Sequence, residues 1–403
     1  MTNPTVPTAM SNRPVTLMSL GHACVDVYQG AVAALVPYFV AERSYTYAAA
    51  SGIVLAASLL SSVVQPLFGA LTDRWAMPWL LPVSALLAGT GVALSGVTGS
   101  YALTLLVVAV SGIGVAAYHP EAARVARHVS RGRHTAMSWF SLGGNLGFAA
   151  APLAVFAAVA MSGGLRATPL LIVPALAGGA LCAAAVRAAK RPTPASAAEA
   201  NAPTRAPATA TACAPARGDD WPSFLRLSGA IVCRSTVFVG LSTFISLYVR
   251  QRTSGGEVSG TAALFVLYLG GAAGTVAGGR LATRYGRITV VRRSYALTVL
   301  AVAGVVCVPG PPLYLFVALT SAGLYVPFSL HITYGQDYLP GRVGTASGVT
   351  LGLAVSVGGL ASPLIGALAD ATTLRTALAP LVVLPALGWY LLRPLREPAM
   401  ISS

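Results

Sequence analysis

His22 and Asp26 stand four residues apart in the run "SLGHACVDVYQGAVAALVPYF" (19–39), followed closely by Tyr28 and Gln29. On a helix, positions i and i+4 share a face, so an imidazole and a carboxylate meet there. Such a pair can take up and release a proton, because imidazole titrates near neutrality. The surrounding run is apolar and long enough to cross a bilayer. Asp26 lies about ten residues into it, hence ~15 Å deep at about 1.5 Å per residue. A carboxylate at that depth costs at least ~2.5–3.5 kcal/mol on insertion scales, so it must return something for that cost.

Other polar residues interrupt apolar runs in the same way. "YHPEAARVAR" carries His119 and Glu121 near the end of a fourth run, Arg234 is the cation deep inside a seventh, and His331 lies in a tenth. Each has two open readings. His119 and Glu121 either relay protons or mark a helix kink at Pro120 with Glu121 paired to Arg124. Tyr28 and Gln29 either contact a ligand or bridge neighbouring helices. No nucleophile–base set, metal-ligand spacing or disulfide framework appears, and Cys24, Cys182, Cys233 and Cys307 read as small packing residues. "GIGVAA" at 112–117 imitates a dinucleotide fingerprint without the strand–turn–helix context that the chemistry needs. The expectation is a protein that is not an enzyme and uses no cofactor or metal.

The elements that position these residues follow from composition. Of 403 residues, 55% are hydrophobic and 9% charged, with mean hydropathy +0.72; globular chains carry about 25% charged residues. Twelve apolar runs follow one another, the first near 16–39, the sixth near 167–187, the seventh near 223–249 and the last near 376–393. The reading is an all-α membrane protein with twelve transmembrane helices. With the N-terminus inside, 20 of the 26 Arg and Lys residues fall on cytoplasmic segments, so the positive-inside rule puts both termini in the cytoplasm. The net charge of +15 is therefore a topology signal, and nucleic acid is not expected as a partner.

The chain divides into a tail (1–15), a six-helix half (16–187), an Ala/Pro/Thr-rich linker (188–220), a second six-helix half (221–393) and a second tail (394–403). The linker composition cannot bury a core. The halves repeat: "GALTDRW" at 69–75 corresponds to "GRLATRYGR" at 279–287, "GRHTAMS" to "GRVGTAS", and Pro152 to Pro363, at offsets of 209–211. An offset of 208 places Arg234 opposite Asp26, and 210 places His331 opposite Glu121. Parallel six-helix repeats with binding near the midplane describe one transporter architecture.

With those motifs the chain resembles the major facilitator superfamily. "GHACVDVYQGAVAALVP", "SSVVQPLFG", "AAYHPEAARVAR", "FSLGGNLGFAAAPL" and "GQDYLPGRVGTASGVTLGLAVSVGGL" together resemble its fosmidomycin-resistance branch. The resemblance implies a monomeric transporter in the bacterial inner membrane, moving a small-molecule substrate by alternating access with protons as coupling ion. Export of a phosphonate antibiotic or another drug is expected; a symporter importing a small organic anion or sugar is the alternative. No G-x-x-x-x-G-K-[ST] loop is present, so an ion gradient is the expected energy source. The resemblance also places spans one and seven on a central cavity, where Asp26 would meet Arg234. That pair is either a fixed strut or one contested by substrate and proton.

Proton-coupling candidates are then Asp26, Glu121, His119 and His22. Substrate-binding candidates are Arg234, Tyr28, Gln29 and His331, because guanidinium matches phosphonate bidentately. Gating candidates are Asp73 and Arg74, with Arg280, Arg284 and Arg287 in the second copy, where Thr283 replaces the usual acid. Gln336, Asp337 and Arg342 form a comparable inner-face cluster or simply a solvated loop.

Overall fold

The computed structural model describes residues 13–130, 134–190 and 218–397. Residues 191–217 of the expected linker, including Cys213, and the side chain of Asp73 lie outside the described residues. Among the described residues all regular structure is helical.

The first half contains α1 (Arg13–Arg43), α2 (Tyr47–Arg74), α3 (Leu80–Ser95), α4 (Tyr101–Val129), α5 (His134–Val155) and α6 (Ile172–Lys190). The second contains α7 (Trp221–Arg252), α8 (Gly256–Tyr285), α9 (Arg287–Cys307), α10 (Leu313–Tyr325), α11 (Phe328–Tyr338), α12 (Val343–Ala371), α13 (Leu374–Leu378) and α14 (Val383–Leu392). Helices α10 and α11 together make the tenth span, and α13 with α14 the twelfth. At 31 residues, α1 reaches about 46 Å, more than the ~30 Å hydrocarbon core. Leu225, Leu300 and Leu364 are well exposed on the outer face of the bundle. With so few charged residues in the chain, that face is one for lipid rather than water.

Local sequence sets the helix ends. Thr46, Ser100, Asp220 and Thr373 each accept a hydrogen bond from the backbone N–H three residues on, satisfying an orphan donor of the first turn. Helices α1, α2, α4 and α12 run on through Pro37, Pro66, Pro120 and Pro363, but near three other prolines the regular ladder gives way. A π-helical turn, Phe156–Ala160, follows Pro152, and the break between α10 and α11 falls at Val326–Pro327. The sixth span, expected as continuous helix, begins as a 3-10 segment, Gly164–Leu171, after positive-φ Gly163 and Gly164 and with Pro169 inside it. Each proline removes one N–H donor and crowds the preceding turn.

Packing pairs the elements within each half: α1 lies against α5 and α6, and α3 against α4 and α6. In the second half α7 lies against α8, α12 and α14. Between halves, α2 packs on α12 and α5 on α8, with a lighter contact of α1 on α7. The α1–α5 seam is made by glycine. A Cβ on Gly147 would collide with the Ala23 carbonyl, and one on Gly144 would stand 2.5 Å from Asp26 Oδ2. Lipid gives helices no hydrophobic drive toward each other, so small residues that allow close approach make the interface.

Candidate transport and coupling site

The close α1–α5 seam and the neighbouring α4 bring three titratable side chains together. His22 Nε2 lies 3.3 Å from Asp26 Oδ2, and His119 Nε2 lies 3.1 Å from Asp26 Oδ1. His22 and Asp26 are each 7% exposed, while His119 is half-buried. The i,i+4 meeting on α1 is the one expected; His119 is the added member, 93 residues further along the chain.

The outer ring nitrogens define the inner ones. His22 Nδ1 is 3.0 Å from the Phe140 carbonyl and His119 Nδ1 is 2.7 Å from the Val115 carbonyl. A carbonyl only accepts, so both Nδ1 atoms carry hydrogen. In a neutral ring, Nε2 then presents a lone pair, and both Nε2 atoms lie beside one carboxylate. The approach is also not aligned for hydrogen bonding: His22 Nε2 and Asp26 Oδ1 have no hydrogen-bond partner. Such a cluster needs a proton or a cation between the ring nitrogens and the carboxylate. Phe140 stacks on His22 with centroids 4.3 Å apart, and Tyr118 borders it at 5.9 Å. Both rings hold the imidazole in place.

The expected Asp26–Arg234 ion pair is not made. Arg234, 4% exposed, donates from Nη1 to the Leu324 carbonyl at 3.1 Å and lies over the Phe328 ring at 5.1 Å. It therefore ties α7 to the tenth span of its own half, and its Nε has no partner. Symmetry gives two residues equal positions on opposite sides of an axis, not contact across it. His331 is likewise buried, 5.7 Å from the Tyr295 ring. Neither Arg234 nor His331 is among the described residues lining the central cavity, which counts against their expected role there.

That cavity lies between the halves and encloses about 140 Å³ of free space. Tyr28 and Gln29 reach it from α1, Ser58 and Ser61 from α2, and Ser111 and Val115 from α4, while Phe148, Phe238 and Tyr268 form its aromatic wall. Phe148 and Tyr268 pack with centroids 4.2 Å apart. Of the two expected contacts on α1, Gln29 is exposed there, whereas the Tyr28 hydroxyl is committed to the Leu171 carbonyl at 2.7 Å. Tyr28 thus bridges neighbouring segments, the plainer of its two readings. Val115 also holds His119, so the charged cluster sits one helical turn from the cavity.

Glu121 is fully buried and pairs with Arg124, Oε1 to Nη2 at 2.5 Å and Oε2 to Nε at 2.8 Å. Among the gating candidates, Arg287 donates to Asp337 at 2.6 Å and to Glu397 at 3.0 Å. Arg342 instead faces Asp219 at 3.4 Å, so Asp337 and Arg342 belong to separate ion pairs rather than one cluster. Arg74 and Arg284 lie over Trp75 and Tyr285, and Arg280 is exposed. Gln336 stands beside Asp337 on α11.

One latch was not foreseen. At the end of the bundle far from the described termini, Asp370 of α12 caps α2, accepting from the Tyr47 and Ala48 amides at 2.8 and 2.9 Å. The aromatic wall was equally invisible, because a cavity-facing Phe and a lipid-facing Phe look alike in an apolar run. Asp370 at least carried a signal, as a carboxylate at a span end.

The Major Facilitator Superfamily model matches residues 18–363. The chain belongs to this superfamily. A major facilitator relative, the fosmidomycin resistance protein of Escherichia coli (strain K12), is 30% identical over 382 residues, covering 92% of this chain and 90% of that one. An uncharacterized MFS-type transporter, YfnC of Bacillus subtilis (strain 168), is 31% identical over 375 residues with the same coverage. Among solved structures, a bacterial homolog of the human lysosomal transporter Spinster, inward-facing and occupied, superposes with TM-score 0.75 at 14% identity, over 94% of this chain and 95% of that one. The chain is therefore a multi-pass membrane transporter of the major facilitator fold and not an enzyme. It acts on small molecules.

Proposed function

We propose that this transporter is a proton-coupled exporter of the bacterial inner membrane, working as a monomer with both termini cytoplasmic. The observation that carries the reading is the buried Asp26–His22–His119 cluster, one helical turn from a cavity between the halves. A group that needs a proton or a cation, placed beside a substrate chamber, can exchange it when the halves rock. Glu121, already neutralised by Arg124, serves as structure in this reading.

The substrate we propose is a small amphiphilic molecule with an aromatic or apolar body and few charges. The lining consists of aromatic, aliphatic and hydroxyl side chains with the Gln29 amide, and no cation is among its described residues. Aromatic surface and hydroxyls suit such a body. A phosphonate anion would gain little there, and reaching Arg234 would require the tenth span to release it. Gating is assigned to the end of α2 that holds Asp73 and Arg74 and to its second copy, Arg280 and Arg284 at the end of α8 with Arg287 at the start of α9.

Everted membrane vesicles test the reading. Acidified inside, they should accumulate lipophilic drugs several-fold in a protonophore-sensitive manner, with fosmidomycin carried weakly or not at all. Accumulation only in right-side-out vesicles would reverse the direction and favour the symporter. Fosmidomycin as the preferred substrate would overturn the substrate class.

A further inference from the structure

Sequence spacing offered no metal set, because the three groups come from two helices. The fold nevertheless gathers two imidazole nitrogens and a carboxylate whose ligand atoms all lie within 4.8 Å of one another. We propose that His22, Asp26 and His119 form a binding site for a first-row divalent transition cation of the Zn2+ class, held by His22 Nε2, His119 Nε2 and an Asp26 oxygen.

Four features carry this. The ligand atoms are close enough: bonds of ~2.0–2.1 Å in a tetrahedral site give ligand separations of about 3.3 Å, His22 Nε2 lies 3.3 Å from Oδ2 and His119 Nε2 3.1 Å from Oδ1, and the three ligand atoms all fall within 4.8 Å of one another. The tautomers are set: each imidazole gives its Nδ1–H to a backbone carbonyl, of Phe140 or Val115, leaving Nε2 to act as ligand. That is the outer contact which fixes a metal-binding tautomer. The inner atoms are not spent on each other, since His22 Nε2 and Asp26 Oδ1 lack hydrogen-bond partners. Finally, the Asp26 carboxylate offsets one of the cation's two charges inside the bundle, as a buried cation requires.

The chemistry selects the class. Two imidazoles and one carboxylate suit borderline cations and disfavour Mg2+ and Ca2+, which prefer all-oxygen shells. The fourth position would take water, since half-buried His119 is the side of the site reached from the cavity one turn away. A bound cation would fasten α1 to α4 and take the place of the coupling proton. Micromolar Zn2+ would then inhibit transport in competition with protons.

Purified full-length protein in detergent, freed of metal, is titrated with Co2+ by visible absorbance and with Zn2+ by calorimetry. Expected are one equivalent per chain and the intense ligand-field bands of four-coordinate Co2+. Affinity should fall at least tenfold in His22→Gln, His119→Gln and Asp26→Asn but not in His128→Gln. In the unmodified chain, Zn2+ should shield half-buried His119, and not His128, from diethyl pyrocarbonate, read by mass spectrometry; this arm needs no variant to fold. No stoichiometric binding, binding unchanged in His119→Gln, binding lost in His128→Gln, or unshielded His119 would each overturn the site. These readouts involve no transport, so their failure leaves the exporter reading standing and is distinguishable from its failure.

Discussion

Asp370 closes one end of the transporter by capping Tyr47: its Oδ1 accepts the Tyr47 amide at 2.8 Å, while Oδ2 takes the Ala48 amide at 2.9 Å. The carboxylate belongs to the second half and the helix start to the first, so a charge–dipole contact joins them. Such contacts contribute about 0.3–2 kcal/mol, enough to bias two conformations that differ by a few kcal/mol without freezing either. The Gln251 amide adds a bond to the Tyr47 hydroxyl at 3.3 Å.

Asp370→Ala should therefore open this end more often. Labelling of a cysteine placed at buried Ser51 should speed up by about 3- to 20-fold, corresponding to loss of about 0.7–1.8 kcal/mol of capping. Unchanged labelling would show that the cap does not hold the closed state.

Gly144→Ala tests the seam that supports the cluster. The new methyl would stand 2.5 Å from both Asp26 Oδ2 and His22 Cε1, a clash that α1 can relieve only by moving away from α5. Overpacking of this kind costs about 1–3 kcal/mol. Transport should be lost while the chain still inserts in the membrane; wild-type transport rates would mean that the seam yields cheaply.

Asp26→Asn removes the charge around which both imidazoles converge. Accumulation against a gradient should fall more than tenfold, while exchange of substrate across equal concentrations persists. Full accumulation would make Asp26 a structural residue and move the proton site to His119.

Arg234→Lys keeps the charge and loses the planar surface stacked on Phe328. A drop in detergent stability of about 1–2 kcal/mol is expected from the lost cation–π and hydrogen-bond contacts. If stability holds but transport of an anion falls, Arg234 binds substrate after all.

Glu397 supplies a pH test outside the spans. Burial pushes its carboxyl up, but the hydrogen bond from Arg287 and that from the Ile288 amide outweigh burial and hold it below the usual carboxylate range. A depressed carboxyl stabilises the fold above its unfolded-state titration and loses that contribution as pH falls through its folded-state value. Wild type should thus melt above Glu397→Gln at neutral pH, and the difference should vanish in acid. Its side chain is 39% exposed, so the gap should be small. A gap that widens in acid would contradict the assignment.

How far these features could be read from the residues depended on the kind of signal each one left. Twelve spans were legible because each needs about 20 apolar residues and little else. His22 and Asp26 were legible because helix geometry alone makes them neighbours. His119 was named for its chemistry, but its meeting with Asp26 depends on how tightly α1 seats on α5 and α4, which no short-range pattern encodes. The Arg234 pairing failed for the same kind of reason: an internal repeat reports equivalence, and the width of the gap between equivalent residues is decided by the whole bundle. Phe148, Phe238 and Tyr268 left no mark, since composition is blind to which way a ring in an apolar helix faces.

The repeat that relates Asp26 to Arg234 also means that the two halves carry different side chains at their matching deep positions. A molecule assembled from two copies of the first half would set two carboxylates at equivalent buried sites, and one from two copies of the second half would set two guanidinium groups there. Neither could reproduce what the single chain carries: a carboxylate held between two imidazoles in one half, and a guanidinium turned into its own bundle in the other. Joining the halves in one polypeptide keeps that asymmetry permanent, so every molecule in the membrane is built of one of each.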